Sequence, residues 1–296
     1  MTAATLTVLC ALKLFSDVHY FDQYHPDAAL NAVIRSSETR NAYRRIDLTF
    51  EGIPGEPVPT LLCLPKEGAG PFPVLIFLHG IGQEKKFLDR IAEPFVQEGY
   101  AIASFDQLMQ GERDVSSKGY LAQAIAFRNR PANTIIETRR LIDYFETRPD
   151  IDTSRVFLLG ASYGAITGST AAAFDTRIKG ALLCYGGGDI PKLVNSEMVA
   201  EVVGPAMPLV QNLAQWLLAP ADPVRYAYKI SPRPVLFQAG KYDRLVPAAS
   251  AQALISAARQ PKDVIWYESD HIGMDEEHVV TVLSDALAWL KAHDRN

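Results

Sequence analysis

"SRVFLLGASYGAITG" (154–168) runs from an apolar stretch into a serine, Ser162, flanked by Gly160 and Gly164. A continuous apolar run such as "RVFLLG" (155–160) is what a strand covered on both faces looks like. The small residues of "AITGSTAAAF" that follow suit a closely packed helix. A G-x-S-x-G pentapeptide at such a junction reads as a tight strand-to-helix turn. The serine there takes strained backbone angles that lift its Oγ off the sheet, and the glycines let neighbouring backbone pass without a clashing Cβ. The competing reading is an ordinary turn serine, and the rest of the chain has to separate the two.

Outward from this stretch the same pattern recurs. "PVLIFLHG" (73–80), "YAIASF" (100–105), "GALLCY" (180–185), "RPVLFQAG" (233–240) and "DVIWYE" (263–268) read as strands. "RRIDLTF" (44–50) and "VPTLLCL" (58–64) form a pair around glycine and proline punctuation. Helical spacing appears in Ile135, Thr138, Ile142 and Phe145, in a segment entered after Pro131, and in Val279, Leu283, Leu287 and Leu290. The alternation predicts an α/β fold: a mostly parallel, eight-stranded sheet with helices on both faces. Residues 1–43 are expected to form a helical N-terminal extension, and 44–296 a single domain.

Composition narrows the function. The 296 residues are 48% hydrophobic and 21% charged, enough for a sizeable core. A formal net charge of −5 argues against nucleic acid, which needs a basic surface. The long uncharged runs 156–174 and 202–221 are broken by glycine, proline and amides, so no membrane partner is expected. Cys10, Cys63 and Cys184 are scattered and odd in number, which suggests buried thiols in a reducing compartment. "MTAATLTVLCALKLF" lacks a basic start and a small-x-small cleavage site, so a cytoplasmic start is expected over a signal peptide.

In such sheets chemistry gathers at the carboxyl ends of the strands. Besides Ser162, "AGKYDRLVP" presents Asp243 and "ESDHIGM" presents His271, each just past a strand. A serine needs a base and the base an orienting acid, and the order Ser162, Asp243, His271 suits a nucleophile elbow. Asp106 and Asp270 compete for the acid's role; Asp270 is adjacent to the histidine and badly directed, and Asp106 is expected to fix its own loop. His19, His25, His278 and His293 are expected to be surface or structural residues.

On "LHGIG" (78–82), "GASYG", "GKYDRLVP" (240–247) and "SDHIGM" (269–274) the chain resembles the α/β-hydrolases. The resemblance lies in the neighbourhood of dienelactone hydrolases, acetyl-xylan-type esterases and prolyl-oligopeptidase catalytic domains. It covers roughly residues 44–293, with Ala165 standing where many relatives have a second glycine. It implies a serine esterase with Ser162, His271 and Asp243 as triad and the N–H groups of Ile81 and Tyr163 as oxyanion hole. His79 and Gly80 would shape the site. No cofactor and no metal is implied; the partner is a small-molecule ester, and a homodimer is compatible. Peptidase or amidase, lactone or carbon–carbon bond hydrolysis, and a non-catalytic binding protein are the alternatives. The long link at 189–224 is expected to be a small helical lid, with Met207 and Trp216 lining the pocket; an extended crossover helix in the core is the other reading.

Overall fold

The computed structural model describes residues 3–273 and 275–294. Met274, the end of "SDHIGM", lies outside the described residues, as do the first two and last two residues of the expected segments.

Nine strands form one sheet among the described residues: β1 (Val33–Thr39), β2 (Tyr43–Ile53), β3 (Glu56–Pro65), β4 (Phe72–Leu78), β5 (Ala101–Phe105), β6 (Ile151–Ala161), β7 (Ile178–Cys184), β8 (Val235–Gly240) and β9 (Lys262–Tyr267). Their spatial order is β1-β2-β3-β5-β4-β6-β7-β8-β9. The first three pair antiparallel, as does β3 with β5; every pairing from β5 through β4 to β9 is parallel. Eight of these are the strands expected from the sequence. The ninth corrects the expectation for residues 1–43, which are not helical throughout. "VIRSSET" is exposed along its whole length, so it carries no burial pattern. It joins the sheet through its backbone ladder to β2, helped by the ion pair of Arg35 with Asp47.

Nine α-helices accompany the sheet among the described residues: α1 (Ala3–Val18), α2 (Leu88–Gln97), α3 (Tyr120–Glu146), α4 (Tyr163–Phe174), α5 (Ile190–Val194), α6 (Glu197–Val203), α7 (Met207–Leu218), α8 (Ala248–Ala257) and α9 (Glu276–His293). Apolar side chains of α3, α4 and α8 pack on one face of the sheet, and those of α2 and α9 on the other. Two helices differ from expectation. α3 begins at Tyr120 and carries Pro131 inside it, because its first turns lie outside the core, with Tyr120 and Leu121 exposed. In α9 Leu290 is buried as expected, but the rest of the buried face is Val282, Ala286 and Trp289, with Leu283 and Leu287 only partly buried beside it.

The segment after α1 binds α3 like a strap. Tyr20 donates to the Arg128 carbonyl at 2.7 Å, and Arg140 donates to the carbonyls of Pro26 and Ala28 at 3.0 and 2.7 Å. The 189–224 insertion folds as α5, α6 and α7 with short 3₁₀ turns, and α6 closes at Gly204. No residue of α6 or α7 is buried, which removes the core-crossover reading. Cys63 and Cys184 are buried, but Cys10 is exposed, which corrects the expectation for that thiol. No described helix is long and apolar enough to cross a membrane.

Candidate active site

The strand order reverses between β5-β4 and β4-β6, and ligands of open parallel sheets settle in the crevice such a reversal leaves. Gly80 follows β4 and Ser162 follows β6, so both stand at that crevice. Ser162 holds φ +55° and ψ −119°, a conformation that a non-glycine residue adopts only under constraint. The constraint is visible. The Ser162 N–H donates to the Cys184 carbonyl at 2.8 Å, and its own carbonyl accepts the N–H of Ala165 at 2.9 Å. A Cβ on Gly164 would lie 1.8 Å from the Leu78 carbonyl oxygen, and one on Gly160 would lie 2.3 Å from the Gly164 carbonyl oxygen. Only glycine permits a helix to leave the strand this tightly.

The three residues singled out at separate strand ends meet. His271 Nε2 is 2.8 Å from Ser162 Oγ, and its Nδ1 is 2.7 Å from Asp243 Oδ2. The other Asp243 oxygen accepts the N–H groups of Leu245 and Val246, both at 2.8 Å. A carboxylate anchored by two backbone donors presents its free oxygen in one direction, so the imidazole is held with Nε2 toward the serine. Asp270 does not reach the imidazole. It accepts from Arg244 Nε at 2.7 Å and from the Arg244 N–H at 3.0 Å, joining the Asp243 loop to the His271 loop.

Beneath His271, Tyr185 packs edge-on with ring centroids 5.8 Å apart. Its hydroxyl bonds Ser269 Oγ at 2.7 Å and His278 Nε2, and burial pushes it up to about 12, so it stays a neutral bridge. Tyr185 has φ +56°, a second constrained residue at the same level. Sequence reasoning missed it, since a tyrosine closing an apolar strand looks like core.

The two residues expected to supply oxyanion donors stand next to Ser162 and on the loop against it. Tyr163 is the first residue of α4, where a helix leaves its N–H without an intrahelical acceptor. The Ile81 N–H meets no acceptor among the described residues, and Gly80 before it sits against Ser162, its Cβ position 3.4 Å from that of the serine. His79 is fully buried, its ring nitrogens 3.0 and 3.1 Å from the carbonyls of Gly80 and Phe105. Burial holds its pKa below the usual histidine value, so a neutral ring braces the loop from below. Asp106 accepts the Lys85 N–H at 2.7 Å and the Glu112 N–H at 3.1 Å, fixing its loop. Nearby, the exposed Glu112 pairs with Lys85 and Arg35, and the largely buried Arg113 pairs with Glu137 and Glu56.

The lid residues stand differently. Trp216 lies under Lys13 of α1, 5.1 Å from ring centroid to Nζ, and is half exposed; Met207 opens α7 and is partly exposed.

Residues 16–204 match the family of acetyl xylan esterases (AXE1). The chain belongs to the acetyl xylan esterase (AXE1) family. As a member it is a carboxylic ester hydrolase of the α/β-hydrolase fold. The matched segment contains Ser162 and ends before Asp243 and His271, so the case for those two rests on geometry. Solved acetyl xylan esterases share the fold. That of Paenibacillus sp. R4 is 19% identical and superposes with a TM-score of 0.75 over 95% of this chain and 94% of its own. That of Thermoanaerobacterium sp. JW/SL YS485 is 18% identical, with a TM-score of 0.73 over 91% and 93%. The YtaP protein of Bacillus subtilis (strain 168) is 24% identical over 216 residues, 65% of this chain and 68% of that protein.

Proposed function

We propose that this AXE1-family protein is a serine esterase that removes small acyl groups, acetyl foremost, through an acyl-enzyme. Ser162 Oγ attacks the acyl carbon while His271 Nε2 takes its proton and Asp243 keeps the imidazole in register. The Ile81 and Tyr163 N–H groups receive the carbonyl oxygen as it becomes negative, where one such donor is worth about 2.7–4 kcal/mol. Collapse expels the alcohol, which takes the proton from His271. A water activated by the same nitrogen then releases the acid.

The observation that carries this reading is the continuous Ser162–His271–Asp243 chain, at 2.8 and 2.7 Å, on a strained elbow. The acetyl preference is supported by the family description and by the names of both solved relatives. The lid of α5 to α7 favours small and medium esters over long-chain ones. A cytoplasmic setting belongs to the same reading, supported by three cysteines without a disulfide. The test is hydrolysis of p-nitrophenyl esters of increasing acyl length. Turnover highest for acetate and falling with length supports the reading; a maximum at long chains overturns the acyl assignment. Absence of ester turnover with cleavage of amides or lactones overturns the reaction class.

A further inference from the structure

Arg130, in the exposed-to-buried transition of α3, is 7% exposed yet has no carboxylate partner among the described residues. Its Nε is buried without an acceptor, and one Nη donates to the side-chain oxygen of Gln110. A buried guanidinium left uncompensated is costly, and such groups are usually paired. The neighbours show what the position offers.

Gln110 turns its amide nitrogen to the Gly80 carbonyl, at 2.9 Å. Only this orientation of the amide satisfies both Arg130 and Gly80. One helical turn on, the Thr134 hydroxyl lies 3.2 Å from Gln107 Oε1 and 3.0 Å from the Arg130 carbonyl, its one hydrogen shared between them, and the Gln107 amide donates to the His79 carbonyl at 2.8 Å. Two glutamines thus carry two successive carbonyls of the loop back to α3. The Gly80 carbonyl belongs to the same trans peptide unit as the Ile81 N–H, so the two point in opposite directions. Gln110 shares this carbonyl with His79 Nδ1, 3.0 Å away, and with the Gln83 N–H at 3.4 Å, and its hold on the carbonyl turns the Ile81 N–H the opposite way. Meanwhile the Arg130 guanidinium lies over the Tyr163 ring, 4.2 Å from its centroid, and Tyr163 carries the second donor.

We propose that Arg130 is a positioning residue for the oxyanion hole. It fixes the Gly80–Ile81 peptide through Gln110, seats Tyr163 by stacking, and leaves an uncompensated positive charge behind both donors. The inference rests on the reading of Ile81 and Tyr163 as those donors. The developing negative oxygen feels that charge more than the neutral ester does, so the effect falls on kcat and spares KM.

The experiment measures kcat and KM for p-nitrophenyl acetate in the parent, Arg130→Met, Arg130→Lys and Gln110→Met. Rates are normalised to Ser162 titrated by a fluorophosphonate probe, so a misfolded fraction does not count. Phenylboronic acid affinity serves as the tetrahedral-adduct readout. Arg130→Met is expected to lower kcat per titrated site by about 10- to 100-fold, less than loss of a direct donor, with KM within about twofold. Boronate affinity is expected to fall with kcat, and Arg130→Lys to recover part of the loss by restoring the charge. Gln110→Met should lower kcat as well, and combining it with Arg130→Met should be less than additive. A kcat per site within about threefold of the parent in Arg130→Met, or a loss confined to KM, overturns the inference. If Arg130→Met does not fold, unchanged kcat in Gln110→Met overturns it instead. Failure of the parent to label at Ser162 is the separate result that removes the underlying reading.

Discussion

Gly164→Ala should disable the enzyme while leaving most of the fold standing. The new Cβ would stand 1.8 Å from the Leu78 carbonyl oxygen, where real contacts stay beyond 3.0 Å. The start of α4 and the end of β4 must therefore separate by about 1.2 Å. That seam lies between Ser162 and the Gly80 loop, so the shift lands directly on the 2.8 Å Ser162–His271 contact and on the oxyanion donors. A misplacement of ~1 Å costs about 100-fold in rate, and overpacking of this kind costs about 1–3 kcal/mol of stability. Gly168→Ala is the matched comparison one turn along α4. Its Cβ meets Leu158 Cδ2 at 2.6 Å, the end of a side chain that can rotate away. It should lose stability but keep its rate per folded molecule. Urea denaturation gives the stabilities, and p-nitrophenyl acetate turnover, scaled to the folded fraction, gives the rates. Gly164→Ala with a rate within about threefold of the parent, or Gly168→Ala equally inactive, would refute the geometric reasoning.

Asp243→Asn should lower kcat by about 10⁴-fold because the amide favours the wrong imidazole tautomer, whereas Asp106→Asn should chiefly destabilise its loop; steady-state kinetics of the pair decides between them. Glu137 is fully buried, no aligned hydrogen bond reaches either oxygen, and burial raises its pKa to about 7, with Arg113 2.7 Å away opposing the shift. The folded state then holds this proton more tightly than the unfolded chain, so stability falls as pH rises from about 4.5 through about 7. Glu137→Gln should remove that fall, gaining on the parent by up to about 3 kcal/mol between pH 4.5 and 8 in urea titrations; a pH-independent difference contradicts it. Met207→Ala should shift acyl-chain preference. Trp216→Ala should instead loosen α1 around Lys13 with preference unchanged, as a chain-length panel and limited proteolysis would show.

The chemistry was legible because it depends on short local patterns placed at strand ends. Apolar runs marked eight strands, and the residues just beyond three of them, Ser162, Asp243 and His271, meet in space. What escaped were groups whose meaning comes from distant partners. β1 has no buried face, so nothing in "VIRSSET" announces a strand until β2 supplies its hydrogen bonds. Gln107, Gln110 and Arg130 are polar residues in a loop and an amphipathic helix, and only packing turns them toward the Gly80 loop. Trp216 has the residue type of a pocket wall, but tertiary placement sets it on α1. The start of α3 shows the same limit: Pro131 signals a helix boundary locally, yet the helix continues through it.

The central claim is that Ser162 carries the acyl group. Mixing the protein with p-nitrophenyl acetate, quenching in acid within the burst phase and sequencing the peptides by mass spectrometry tests it most directly. The account predicts an acetyl group on Ser162 in the parent, more persistent when a His271→Ala variant is loaded with an activated ester, and none in Ser162→Ala. An unmodified Ser162 during active turnover, or acetyl on another residue that survives Ser162→Ala with full activity, would contradict it.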